Sequence, residues 1–130
     1  MSMKILLSIK PEYAEKILDG TKKFEFRRRV HARTEVEAVI IYATMPVGQV
    51  VGEFSIKCIH SATPAIIWDR TRSHSGITRE FYRRYFSGRK TAHAIEVRDV
   101  KRYSEPQPLK KYLPSGVAPQ SYAYISAAAT

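Results

Sequence analysis

Residues 20–27, Gly20-Thr21-Lys22-Lys23-Phe24-Glu25-Phe26-Arg27, crowd cations, a carboxylate and two aromatics into one short stretch. Phe24 and Phe26 alternate with Glu25 and Arg27, which is strand periodicity, so the aromatics face a core and Glu25 and Arg27 share the other side. A carboxylate held between cations stays ionised and oriented, and it can accept from a base edge or from water. Lys22 and Arg27 can hold a phosphate or a carbonyl oxygen. The same residues also fit an ordinary surface ion pair, which contributes little.

A second basic region comprises Arg70, Arg72, Arg79, Arg83, Arg84, Arg89 and Lys90, with Tyr82 and Tyr85 interleaved. Arginines beside aromatics suit phosphate contact and base stacking. Phe81, Tyr82, Tyr85 and Phe86 have the spacing of a packed helical face, which is the favoured reading for the aromatics. Glu80 precedes Arg84 by four residues, a helical ion-pair spacing that competes with any catalytic role. His31, His60, His74 and His93 show no metal-ligand spacing with one another, so no metal or other cofactor is expected. Cys58 falls on the apolar side of its strand and reads as core, as does Trp68 in its helix. Gln120 and Ser121 fit either hydrogen bonding at a cleft or a plain chain turn.

These groups must be positioned by short elements. Lys4–Ile9 reads as a buried strand, and Pro11 opens a helix that Gly20 ends. Residues 22–29, 38–43, 50–60, 92–103 and 122–125 read as further strands. Val50, Phe54, Ile56 and Cys58 share one side of the third of these. Thr63-Pro64 and Thr78 start two more helices. Pro106 and Pro108 interrupt the chain, and residues 110–113 form a helical turn. Strands dominate with short helices between them, which points to a closed or nearly closed barrel with helices outside.

The 130 residues suit one domain, taken as 1–130, and 44% apolar content suits a globular chain. No apolar run approaches the length of a membrane span, and the N-terminus lacks the marks of a signal peptide. One cysteine excludes a multi-cysteine zinc site and suits a reducing, cytoplasmic setting. The net charge of +10 favours an anionic partner.

Leu7-Ser8-Ile9-Lys10-Pro11, then Tyr13, Ala14, Ile17 and the pattern Gly20-x-Lys22-x-x-Glu25-x-Arg27, resemble the N-terminal signature of ASCH domains. Ser75-Gly76-Ile77-Thr78, Phe81, Tyr85-Phe86, Gly88 and Ala118-Pro119-Gln120-Ser121 extend the resemblance over almost the whole chain. ASCH domains are similar to PUA-like domains, so the resemblance implies a mixed α+β, strand-rich, PUA-like small β-barrel with short helices packed outside. It implies a cleft beside the first helix that holds RNA or a single, sometimes modified, base. Lys10, Gly20, Lys22, Lys23, Glu25, Arg27 and Arg29 would line or flank that cleft. Arg79, Arg83 and Ser121 would add contacts. DNA is a further candidate partner. The same family includes a ribonuclease and an amidohydrolase acting on N4-acetylcytidine. A ribonuclease would use Lys22 or Arg27 against the phosphorane charge and Glu25 as general base. The amidohydrolase set is a lysine, a threonine and a glutamate. Its lysine corresponds to Lys22 and its glutamate loosely to Glu80, but Glu25 stands where the threonine belongs. A free nucleoside carries no phosphate and gives no reason for the charge, which tilts the reading toward a polymeric ligand.

Overall fold

The N-terminal apolar run forms strand β1 (Met3–Ile9), with Ile5, Leu7 and Ile9 packed in one core cluster and Leu6 in another. Burial on both sides explains why this run shows no polar alternation. The computed structural model describes residues 3–33 and 35–126, so the ends of the expected 1–130 span lie outside it. Helix α1 (Pro11–Leu18) carries Pro11 in its first turn and buries Ala14 and Ile17. Gly20, at φ 88°, closes it in a left-handed turn. The Gly20 amide donates to Ile17 O at 3.2 Å, and the Thr21 and Lys22 amides both donate to Lys16 O at 3.0 Å. That conformation is natural only to glycine.

Strand β2 (Phe24–Arg27) follows directly, then β3 (Val36–Ala43) and β4 (Gln49–Ala62). Helix α2 (Pro64–Thr71) starts where the Thr63 hydroxyl accepts from the Ile66 amide, and α3 (Arg79–Tyr85) where the Thr78 hydroxyl accepts from Phe81. Strands β5 (Ala92–Gln107) and β6 (Tyr122–Ser126) complete the set. A short 3-10 turn at Leu109–Lys111 stands near the expected helical turn. Among the described residues, no helix is long and apolar enough to cross a membrane.

The strands form one six-stranded sheet in the order β2-β5-β4-β3-β1-β6. β1 runs parallel to β3, and the other neighbours are antiparallel. The expected closure into a barrel does not occur: β2 and β6 are the two edges of an open sheet. All four residues of β2 pair with β5. The seam beyond β2 is spanned by a side chain instead of a strand ladder. Arg27 Nη2 donates to Ser121 O at 2.7 Å, just before β6, and Nη1 reaches Ser8 O of β1 at 3.5 Å.

Two further expectations fail for identifiable reasons. Cys58 is exposed, not core. Ile56 pairs with Val97, yet Cys58 pairs with Glu96, so two steps on β4 match one on β5. This bulge inverts the alternation and turns Cys58 away from the side that Phe54 buries. β5 also runs through Pro106 instead of ending before it. Pro106 falls between the pairs Gly52↔Arg102 and Val50↔Gln107, where the register shifts and a missing amide is tolerated.

Phe26 is buried against Tyr82, Phe86, Ile67, Ala92 and Ala94, a cluster that seats α2 and α3 on the sheet; Phe24 is half-buried beside it, and Trp68 packs there as expected.

Candidate functional site

The left-handed turn after α1 sends Lys22 inward, where it is only 1% exposed. Its Nζ donates to Ser75 O at 2.6 Å and sits 4.7 Å from the centre of the Phe26 ring and 5.5 Å from that of Tyr13. Gly76 lies over the lysine stem, and a Cβ there would come within 2.5 Å of Lys22 Cβ and Cγ. Burial pulls the Lys22 ammonium down to about 8, with Glu25 opposing the shift and the Lys16 charge adding to it. A lysine held there can give or take a proton near neutral pH.

Glu25 is also buried, and Arg27 Nη1 donates to its Oε2 at 3.3 Å. One such bond leaves lone pairs free to accept from a ligand. Lys22, Glu25 and Arg27 together line a pocket of about 160 Å³, floored by Phe26 and walled by Ser8, Ile9, Lys10, Tyr13, Ile77, Phe81 and Tyr85. This is well below the roughly 300–1,000 Å³ of pockets that take drug-sized ligands, and it suits a single planar ring. Phe81 and Tyr85 lie almost parallel, at 11° with centroids 6.2 Å apart, and Tyr13 meets Phe81 edge-on at 5.5 Å. Burial raises the Tyr13 pKa further above neutrality, helped by Glu12 and Glu25, so the ring carries a neutral phenol.

Cations lie over the same aromatics at the rim. Lys10 Nζ lies 4.9 Å above Phe81, and the Arg28 guanidinium 4.3 Å above Tyr85, where Arg28 Nε also donates to Tyr85 O at 2.8 Å. Arg28, Arg29, His93 and Ser121 line a shallow neighbouring groove.

The remaining residues singled out in the sequence lie elsewhere. Gly20 shapes the turn without lining the pocket. Lys23 is exposed, and its main chain serves the sheet edge, donating to His74 O at 2.9 Å and accepting from the Val97 amide at 3.0 Å. Arg79 and Arg83 share an outer surface of α3 with Glu80 and Arg84. Glu80 is exposed, 3.8 Å from Arg84, so it belongs to that outer surface and not to the pocket. The sequence favoured packing for Phe81 and Tyr85, with base stacking as the alternative, and Tyr13 and Ser75 stood out only within the family resemblance. Their convergence depends on how α1 and α3 meet across the sheet, which spacing along the chain does not encode.

The ASCH domain family model matches residues 7–106, which spans this pocket and both elements that wall it. The chain belongs to the ASCH domain family. It is 34% identical over 94 residues to a Zymomonas mobilis protein named ASCH domain-containing ribonuclease; the match covers 72% of this chain and 64% of that one. A protein named ATP synthase subunit alpha from Ureaplasma parvum is 36% identical over 109 residues, but the chain spans only 14% of its length. The crystal structure of ASCH from Zymomonas mobilis superposes with a TM-score of 0.87 at 30% identity, covering 97% of this chain and 90% of that one. The strand-rich α+β fold described above is thus shared with a solved ASCH protein.

Proposed function

We propose that this ASCH domain binds single-stranded RNA across its basic cleft and takes one base into the aromatic pocket. The carrying observation is the pocket itself. Tyr13, Phe81 and Tyr85 offer ring faces and edges at its wall, Glu25 and Lys22 offer an acceptor and a donor at its floor, and cations stand at its rim. Stacking is tolerant of sequence and worth about 1–3 kcal/mol per base, while the floor groups can read a base edge. Lys10, Arg28 and Arg29 would contact the flanking phosphates.

Cleavage of the bound RNA is a second reading, favoured by the ribonuclease name of the Zymomonas relative and by the near-neutral Lys22. Glu25 would take the proton of the attacking 2′-hydroxyl as the bond from phosphorus to the 5′-oxygen breaks, and Lys22 would offset the charge on the phosphorane and give a proton to the departing oxygen. The amidohydrolase reading has less support, because Glu80 lies on the outer surface of α3 and Glu25 replaces the threonine.

Glu25→Gln keeps the shape of the floor and removes its charge. Fluorescence anisotropy with a labelled single-stranded RNA, a matching duplex DNA and N4-acetylcytidine reads binding, and gel analysis of the same samples reads product. RNA should bind best, and Glu25→Gln should weaken it by roughly tenfold or less, about 1.4 kcal/mol. If the domain also cleaves, Glu25→Gln stops product formation while RNA still binds. Equal affinity of the wild type for RNA and for the nucleoside alone would sink the polymeric ligand.

A further inference from the structure

Cys58 and His60 on β4 and Glu96 on β5 converge at a point outside the cleft. The bulge before Cys58 brings it onto the same side as its cross-strand partner Glu96, and two residues on His60 returns to that side. Cys58 Sγ lies 3.4 Å from His60 Nε2 and 3.5 Å from Glu96 Oε1, while those two atoms are 2.8 Å apart.

A nucleophile–base–carboxylate relay uses the two different nitrogens of an imidazole, one for each neighbour. Here the thiol and the carboxylate both meet Nε2, so the trio is not a relay. Three donor atoms of three kinds instead form a triangle around one point. Zinc bonds of about 2.0–2.3 Å at tetrahedral angles set S···N and S···O edges near 3.5 Å and an N···O edge near 3.3 Å. Two edges of the triangle already have those lengths. The third opens by about half an ångström once the histidine–carboxylate hydrogen bond yields to the cation.

The surroundings hold the donors in place. Lys57 Nζ lies 3.4 Å from Glu96 Oε2, which leaves Oε1 to the trio. Phe24 stands edge-on to the His60 ring at 6.0 Å. Such outer contacts orient metal ligands. A thiolate, an imidazole and one carboxylate suit a borderline-soft divalent cation, not the hard cations that want oxygen alone. The exposure of Cys58 leaves the fourth position to solvent.

The geometry points to a zinc-class divalent-cation site made by Cys58, His60 and Glu96, with three protein ligands and one open position. Binding there clips β4 to β5 beside the bulge, so it also stabilises the fold by mass action.

Titrating the reduced full chain with Co2+ tests this through the thiolate-to-cobalt absorption band. One equivalent should saturate the band, and Zn2+ should abolish it by displacement. Cys58→Ser should lose the band, His60→Ala and Glu96→Gln should weaken binding about tenfold or more, and His74→Ala should change nothing. Because Cys58 is the only cysteine, alkylation followed by mass measurement reads the same site independently of any variant. Zn2+ should protect the wild-type thiol and fail to protect it in His60→Ala. No thiolate band at excess Co2+, or a Zn2+ affinity equal in wild type and Cys58→Ser, overturns the assignment. The second result would mark the metal as adventitious on other histidines.

Discussion

Lys22 is the residue on which the site turns. Keeping its ammonium buried costs roughly 3 kcal/mol, from the fall of its pKa from 10.5 to about 8. The Ser75 carbonyl and the Phe26 and Tyr13 rings hold the ammonium in that position. Between about pH 8 and 10.5 the unfolded chain still holds the proton and the folded chain has released it, so stability rises with pH across that window; below it the full cost is present. Lys22→Met fills the same space without the charge, whereas Lys22→Ala would leave a cavity beneath Gly76. Thermal melts should therefore show Lys22→Met more stable than wild type by about 1–2 kcal/mol at pH 7, with the gap closing by pH 10. RNA affinity of the wild type should fall as pH rises through about 8, and that step should be missing in Lys22→Met. A constant stability gap across this range would mean that the lysine is not desolvated. The motif spacing picked out Lys22, Glu25 and Arg27 as a group. It did not reveal that Lys22 and Glu25 are buried, because charged side chains are normally exposed and burial depends on residues 75–77 folding over them.

At the scale of elements, local signals were legible and non-local ones were not. Pro11, Thr63-Pro64 and Thr78 mark helix starts within a few residues of chain, and all three helices begin there. The bulge between Ile56 and Cys58 depends on pairing with β5 about forty residues away, so a strict two-residue alternation misplaced Cys58. The Cys58-x-His60 spacing was present in the sequence, but Glu96 joins it only through that register. The loop between α2 and α3 makes the clearest element-scale prediction. Gly76 has φ 69° and no room for a Cβ above the Lys22 stem. Gly76→Ala should cost about 2 kcal/mol or more in urea unfolding and should weaken RNA binding by displacing Lys22. Gly88, also at positive φ but with nothing within 4 Å of its Cβ position, is the matched control and should lose stability only. Equal losses of RNA affinity in both variants would remove the special role of the loop.

For the molecule as a whole, the strand-rich α+β class was legible from the order of elements, and barrel closure was not. Closure is decided at the seam between β2 and β6, where the short β2 spends its pairing on β5 and Arg27 crosses the gap. That open seam lies beside the pocket, and the net charge of +10 favours the approach of polyanions. Association should accordingly weaken steeply with salt through counterion release, whereas base insertion should keep its location once RNA is bound. The most direct measurement is photo-crosslinking of a single-stranded RNA carrying 4-thiouridine, followed by mass mapping of the attached peptide. Crosslinks at Tyr13, Phe26, Phe81 or Tyr85 that vanish in Lys22→Met are the predicted result. Crosslinks confined to the outer surface of α3 around Arg79 and Arg83, and unchanged in Lys22→Met, would contradict a base-binding pocket.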